Sequence, residues 1–345
     1  MTHQTALITG VSGLELTANE RAFLKDAAPC GLILFARNCA SHDQIRALIA
    51  SVKDAVAADD LLVLIDQEGG RVQRLRPPLG RMLPPASVYA DLYQTSPSAA
   101  LAAARSAARL VANDLRQLGI NTNCAPVLDV PVPGAHDIIG NRAYGAEVEQ
   151  IAALGRAVAE GYMAGGVLPV IKHIPGHGRA LADSHLDLPV VTAPHSELSA
   201  SDFAPFKLLA DMPAAMTAHV VFTAIDADQP ASTSHTVIER VIRGEIGFDG
   251  FLMSDDLSMK ALSGAMRTRA QAVIAAGSDV ALHCNGELAE MQAAAEGVPV
   301  LKGAARRRFM AALAILKKQQ PFDQAGAEAV LARVLTGTAP ATESV

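Results

Sequence analysis

A single-domain α/β fold, a (β/α)8 barrel of TIM type, is what this sequence predicts, and three observations lead to it. Short runs without a polar residue recur along the chain, such as Gly31-Leu32-Ile33-Leu34-Phe35 and Leu61-Leu62-Val63-Leu64-Ile65. Strands apolar on both faces belong to a parallel sheet covered by helices. Helix-forming stretches separate about eight such runs, and eight units of strict strand–helix alternation match a barrel. Finally, Arg37, Asp66, His173, His219, Asp255 and His283 each stand at or just past the end of a run. Barrel active sites are built at that rim, so these six side chains outline an expected polar mouth.

Taken in order, Ala6-Leu7-Ile8-Thr9 is the first strand candidate and Ala18 to Asp26 has helix composition. The run at Gly31 precedes a helix opening near Ser41-His42-Asp43, and the run at Leu61 ends on Asp66. An Ala-rich helix from Pro97 to Leu118 leads to Asn121-Thr122-Asn123-Cys124, with Asp129 beyond it. A helix over Val148 to Ala164 precedes Val167 to Ile171, a buried strand with a break expected at Pro169. Later helices, Phe203 to Ala210, Thr236 to Glu245 and Arg267 to Ala276, alternate with strands at Ala214, Phe251 and Asp279. A doubly wound open sheet is the competing fold, but no Gly-x-Gly-x-x-Gly follows the first strand. No composition break divides the chain, which predicts one barrel domain over 1–335 and a frayed tail over 336–345.

Composition narrows the function. The chain has 345 residues, half of them hydrophobic, and a formal charge of −6. That length can bury a large core, and the lack of a basic stripe argues against a nucleic-acid partner. Four scattered cysteines without a Cys-x-x-Cys pair predict reduced thiols. Met1-Thr2-His3-Gln4 carries no basic segment before an apolar one, so no secretion signal is expected. No run of about eighteen apolar residues is free of charge. The expectation is a soluble, cytoplasmic monomer without membrane contact, acting on a small soluble substrate.

The most informative stretch is Lys172-His173-Ile174-Pro175-Gly176-His177-Gly178, continuing to Asp183-Ser184-His185. Proline and two glycines end the strand there, and an aperiodic loop follows. In Asp183-Ser184-His185, a carboxylate bonded to one ring nitrogen would raise the basicity of the other and make an acid/base pair. A turn with His185 in solvent is the plainer alternative. Met253-Ser254-Asp255-Asp256-Leu257-Ser258 puts carboxylates where a nucleophile belongs, although Asp and Ser are equally good helix caps. Alternation along the strand would put Asp255 with Phe251 and Met253, and Asp256 with Leu252 and Ser254. Asp66-Gln67-Glu68-Gly69-Gly70-Arg71-Val72-Gln73-Arg74 joins an acid, a double glycine and two arginines, suited to a polyhydroxylated or anionic ligand; a local ion pair in a turn competes. Arg142, in Gly140-Asn141-Arg142, sits between turn residues. His173, His177, His185 and Asp183 also have metal-ligand chemistry, but Lys172 beside His173 opposes a cation.

Together, the Lys172-to-Gly178 and Asp183-to-His185 stretches, Ser254-Asp255-Asp256-Leu257-Ser258-Met259, Asp66-to-Val72 and Asn141-Arg142 resemble family 3 glycoside hydrolases, specifically the bacterial β-N-acetylhexosaminidases. The resemblance implies that Asp255 is the nucleophile and His185 the acid/base, oriented by Asp183. It implies that Asp66, Arg74, Arg142, Lys172 and His173 bind the N-acetylglucosamine residue, with no cofactor and no metal. The implied activity is a retaining exo-β-N-acetylglucosaminidase. It would release N-acetylglucosamine from muropeptides, where that sugar is linked to anhydro-N-acetylmuramic acid, in peptidoglycan recycling. With no Trp and only four Tyr, the chain is poor in stacking platforms for long polysaccharides, which suits one or two sugar units. Ile174 and Tyr144 stand where that family often has phenylalanine, at the pocket edge and not in the chemistry. Transfer to phosphate instead of water, a metal-dependent hydrolase, and a sugar-sensing barrel without turnover remain the other readings.

Overall fold

A computed structural model of the chain describes residues 4–180, 184 and 187–336. Eight parallel strands among them form one sheet: β1 (Thr5–Thr9), β2 (Pro29–Leu34), β3 (Leu62–Ile65), β4 (Thr122–Asn123), β5 (Leu168–Pro169, resuming as Ile171–Ile174), β6 (Ala214–Thr217), β7 (Phe251–Asp256) and β8 (Val280–His283). Each pairs in parallel with the next, and β8 pairs with β1. The two halves of β5 complete the circle, the first bonding β4 and the second β6. This is the predicted (β/α)8 barrel, with helices on its outside.

Two of the expected boundaries shift. The interruption in β5 falls on Val170, whose N–H is shared between the Asn123 and Ala125 carbonyls, while Pro169 still pairs with Asn123. The strand then runs on through Lys172 and His173 to Ile174, three residues past the end of its apolar run. Similarly β7 includes Asp255 and Asp256. In both cases the strand outlasts its hydrophobicity because its last residues line a polar mouth instead of a core. The stretch expected to be helical over Thr236 to Glu245 is wound as a π-helix over Val237–Glu245.

Alternation along the strands sorts the core into two layers. Ile8, Ile33, Leu62, Leu64, Leu168, Val170, Met216, Phe251, Met253, Val280 and Leu282 fill the barrel interior. Their neighbours Leu7, Leu32, Val63, Ile171, Ala215, Leu252 and Ala281 face the helix shell. The helix Gly303–Ile315 plugs the N-terminal end, where the Phe309 ring lies 5.6 Å from that of Phe251. Burial of each such side chain contributes roughly 1.5–3 kcal/mol. With the bottom plugged, the open C-terminal rim is left for chemistry.

Candidate active site

The interior alternation continues beyond the core and positions the site. One step of two past Ile33, Leu64, Val170, Met253 and Leu282 come Phe35, Asp66, Lys172, Asp255 and Cys284, and all five line one cavity of about 270 Å3 at the strand ends. Arg74, Arg142, His173 and Ser184 line it too. Asp183 and His185 lie outside the described residues. Ser184, between them, is buried, with its hydroxyl 3.0 Å from His177 Nε2 and its carbonyl accepting the Ala261 N–H.

Five charges interlock on one side of the cavity. After β3 the chain forms a hairpin, Gln67–Gly69 against Val72–Gln73, that returns Arg74 to Asp66. The turn needs glycine: Gly69 and Gly70 have φ of +113° and +55°, and a Cβ on Gly69 would meet the Pro84 carbonyl oxygen at 2.4 Å. Asp66 Oδ2 accepts from Arg74 Nη2 at 3.0 Å and Oδ1 from Lys172 Nζ at 2.9 Å. Lys172 Nζ also lies 2.6 Å from Glu68 Oε1. Glu68 in turn takes a two-pronged bond from Arg142 Nε and Nη2, each 2.8 Å. Three cations over two carboxylates leave the cluster one positive charge in excess.

Burial pushes the Asp66 and Glu68 carboxyls up, but the adjacent cations overcome it. Lys172 and Arg74 hold Asp66 far below the usual carboxylate range, while Arg142 and Lys172 bring Glu68 down to about 2. Burial likewise disfavours the Lys172 ammonium, and Asp66 with Glu68 reverse this, so its pKa is raised. A buried pair broken at one partner leaves the other charge uncompensated, at a cost of about 3–5 kcal/mol. The sign of the pH effect follows. Glu68 contributes stability above its ordinary value of 4.5 and loses it as pH falls from there towards about 2. Urea midpoints are therefore expected to fall steeply over that window, and Glu68→Gln to flatten the slope. An unchanged slope in the variant would show that Glu68 carries none of the acid sensitivity.

On the other side, Asp255 Oδ1 accepts the Asp256 N–H at 2.8 Å. Asp256 bonds locally, its Oδ1 accepting the N–H groups of Ser258 and Cys284, each at 3.0 Å. Spacing alone leaves open which aspartate faces inward; both line the cavity, Asp255 in phase with Phe251 and Met253, and Asp256 past a register shift in the β7–β8 pairing. His173 gives its Nδ1 side to Asp129 Oδ2 at 2.6 Å. Burial and the nearby His173 push His177 down to about 4, which keeps it neutral near pH 7. Among the described residues no three His, Cys, Asp or Glu side chains group to hold a metal ion.

Three side chains of the expected mouth are elsewhere. Arg37 donates to the carbonyls of Val11 and Cys284 and stacks on Phe35. His219 is spent on Ser232 and the Asp256 carbonyl, and His283 meets Glu290. His219 and His283 are out of phase with the inner residues Met216 and Leu282, and the chain turns into a 3-10 helix at Ala36–Asn38 before Arg37 can point inward. Conversely, two residues were not singled out from sequence. Glu68 is two positions from Asp66 and so on the same side of an extended chain. Asp129 interrupts Val127-Leu128-Asp129-Val130, and an acid in an apolar run signals burial with partners.

The closed barrel thus opens, at the strand ends where barrel enzymes place their chemistry, on a cavity walled by carboxylates, cations and histidines. The chain belongs to glycosyl hydrolase family 3, whose N-terminal domain profile matches residues 4–316, and within it to the bacterial β-N-acetylhexosaminidases. It is 43% identical over 277 residues to a β-hexosaminidase of Methylococcus capsulatus, covering 79% of this chain and 80% of that protein. A β-hexosaminidase of Stenotrophomonas maltophilia is 40% identical over 288 residues, covering 82% of this chain and 84% of the other. Among solved structures, NagZ from Neisseria gonorrhoeae in complex with N-trifluoroacetyl-D-glucosamine superposes with a TM-score of 0.85 at 32% identity, covering 98% and 99% of the two chains. No helix among the described residues is long and apolar enough to cross a membrane.

Proposed function

We propose that this enzyme is a retaining exo-β-N-acetylglucosaminidase that removes terminal N-acetylglucosamine from muropeptides during peptidoglycan recycling. Asp255 attacks the anomeric carbon through an oxocarbenium-like transition state while His185 protonates the leaving oxygen. A glycosyl ester on Asp255 results; water deprotonated by His185 then releases the sugar and restores both groups. Asp183 holds the imidazole in the tautomer that this exchange requires. Using an imidazole as the acid avoids a second carboxylate beside a nucleophile that must be ionised. Asp66, Arg74, Arg142, Lys172 and His173 bind the sugar.

The observation that carries this reading is the meeting of Asp255, the Asp66–Lys172–Glu68–Arg142 cluster and Ser184 on one cavity. Ser184, the described residue of the Asp183-Ser184-His185 stretch, lines that cavity. Linked carboxylates and cations suit a ligand dense in hydroxyls, each able to donate and to accept. The match to NagZ, solved with an N-trifluoroacetyl-glucosamine, supports the acetamido sugar. The barrel, 1–335, serves as one catalytic domain of a cytoplasmic monomer; of the tail expected over 336–345, residues 337–345 lie outside the described residues.

Incubating the purified protein with N-acetylglucosaminyl-anhydro-N-acetylmuramyl peptide, in phosphate buffer with a chelator, tests the proposal. Free N-acetylglucosamine and the anhydromuramyl product are expected. Sugar 1-phosphate would replace hydrolysis by phosphorolysis, loss of activity on chelation would point to a metal, and binding without products would leave a sensor.

A further inference from the structure

We infer that Asp129 is a positioning residue that fixes the His173 ring as its Nδ1–H tautomer, so that Nε2 meets the substrate as an acceptor for one sugar hydroxyl. The inference rests on the reading of His173 as a sugar-binding residue. Asp129 is fully buried, at 0% exposure, and among the described residues its hydrogen bonds are to N–H groups and a ring nitrogen. Oδ1 accepts the backbone N–H groups of His173 at 3.2 Å and His177 at 2.7 Å. Oδ2 is 2.6 Å from His173 Nδ1.

Two of these three partners are backbone amides, which can only donate. They favour the carboxylate's charged form, and although burial raises its pKa, the His173 ring beside it and these bonds lower it overall. A proton placed on Asp129 would have no backbone acceptor to serve among these contacts. The proton between Asp129 and His173 therefore resides on Nδ1, which in the neutral ring leaves the lone pair on Nε2.

Nε2 lies on the ring edge away from Asp129, in a residue that lines the cavity, and it has no hydrogen-bond partner among the described residues. The cations of the cavity wall, Lys172, Arg74, Arg142 and Arg71, are all engaged by carboxylates. A neutral acceptor set among them takes the proton of a hydroxyl without adding a negative charge. A ring in the opposite tautomer would instead present an N–H to the same hydroxyl and favour a ligand with an acceptor there.

Nitrogen-15 NMR of the histidine side chains tests this on the wild-type protein. Near neutral pH the expected His173 spectrum has a protonated Nδ1 and a bare Nε2, with the Nε2 resonance moving on addition of N-acetylglucosamine. A proton on Nε2, or on both nitrogens, would overturn the inference. Asp129→Asn can turn an amide N–H towards Nδ1 and drive the proton to Nε2. It is expected to reverse the two resonances and to lower kcat/KM roughly 10- to 100-fold, mainly through KM. Reversed resonances with unchanged kcat/KM would also overturn it, and if the variant does not fold the wild-type spectrum decides alone. Failure of the wider mechanism would show separately, as surviving turnover in Asp255→Ala with the His173 tautomer intact.

Discussion

Asp255→Ala is expected to abolish turnover of an aryl N-acetyl-β-glucosaminide, with a loss in kcat on the order of 10⁴-fold or more, the scale on which removing an enzymatic nucleophile acts. Asp255 continues the inner row of β7 into the cavity, and the other β7 acid that lines it, Asp256, is engaged by the N–H groups of Ser258 and Cys284. Without it the two-step displacement has no first step, and the cluster around Lys172 is left to bind sugar without reacting. Steady-state rates measure the loss, and circular dichroism checks the fold, because the variant also removes the acceptor for the Asp256 N–H. Asp255→Asn keeps an oxygen there and is expected to be as inactive. A slow fluorinated sugar followed by mass spectrometry should label the peptide containing Asp255. A near-normal rate in either variant, or a label on another peptide, would refute the assignment.

His185→Ala is expected to separate substrates by their leaving groups. A sugar alkoxide needs a proton as the bond breaks, and general acid catalysis of this kind contributes about 10²- to 10⁴-fold. An activated aryl oxide leaves without one. The variant should therefore lose most of its rate on the disaccharide and much less on a nitrophenyl glycoside. Equal losses on both would remove the acid role from His185. Ser184, its neighbour in sequence, lines the cavity and is held at its hydroxyl by His177 and at its carbonyl by Ala261.

Much of the barrel was legible in the residues. Strand positions follow from apolar runs, and the rim acids follow those runs, so Asp66 and Asp255 were found at once. Lys172 and His173 were placed beyond a strand that in fact contains them, because a strand entering a polar site gives up the hydrophobicity by which it is recognised. Alternation would have removed His219 and His283 from the mouth, being out of phase with Met216 and Leu282. His173 also departs from the phase of Lys172 and still lines the cavity. Its ring is bonded to Asp129, which lies 44 positions earlier, and nothing near His173 in the chain announces that partner.

By itself, then, the chain determined the order of strands and helices, the two core layers and the set of polar residues near the rim. These depend on the apolar period and on turn residues within a few positions of one another. Only the tertiary structure decided which of those residues meet. Lys172 reaches Asp66 across 106 positions and Arg142 reaches Glu68 across 74, and both contacts exist because the ring of strands closes with one register. Side-chain charges read singly carry no record of that closure. The pKa of each buried acid, and the bond by which the Cys284 N–H engages Asp256, arise from neighbours that only the closed barrel brings together.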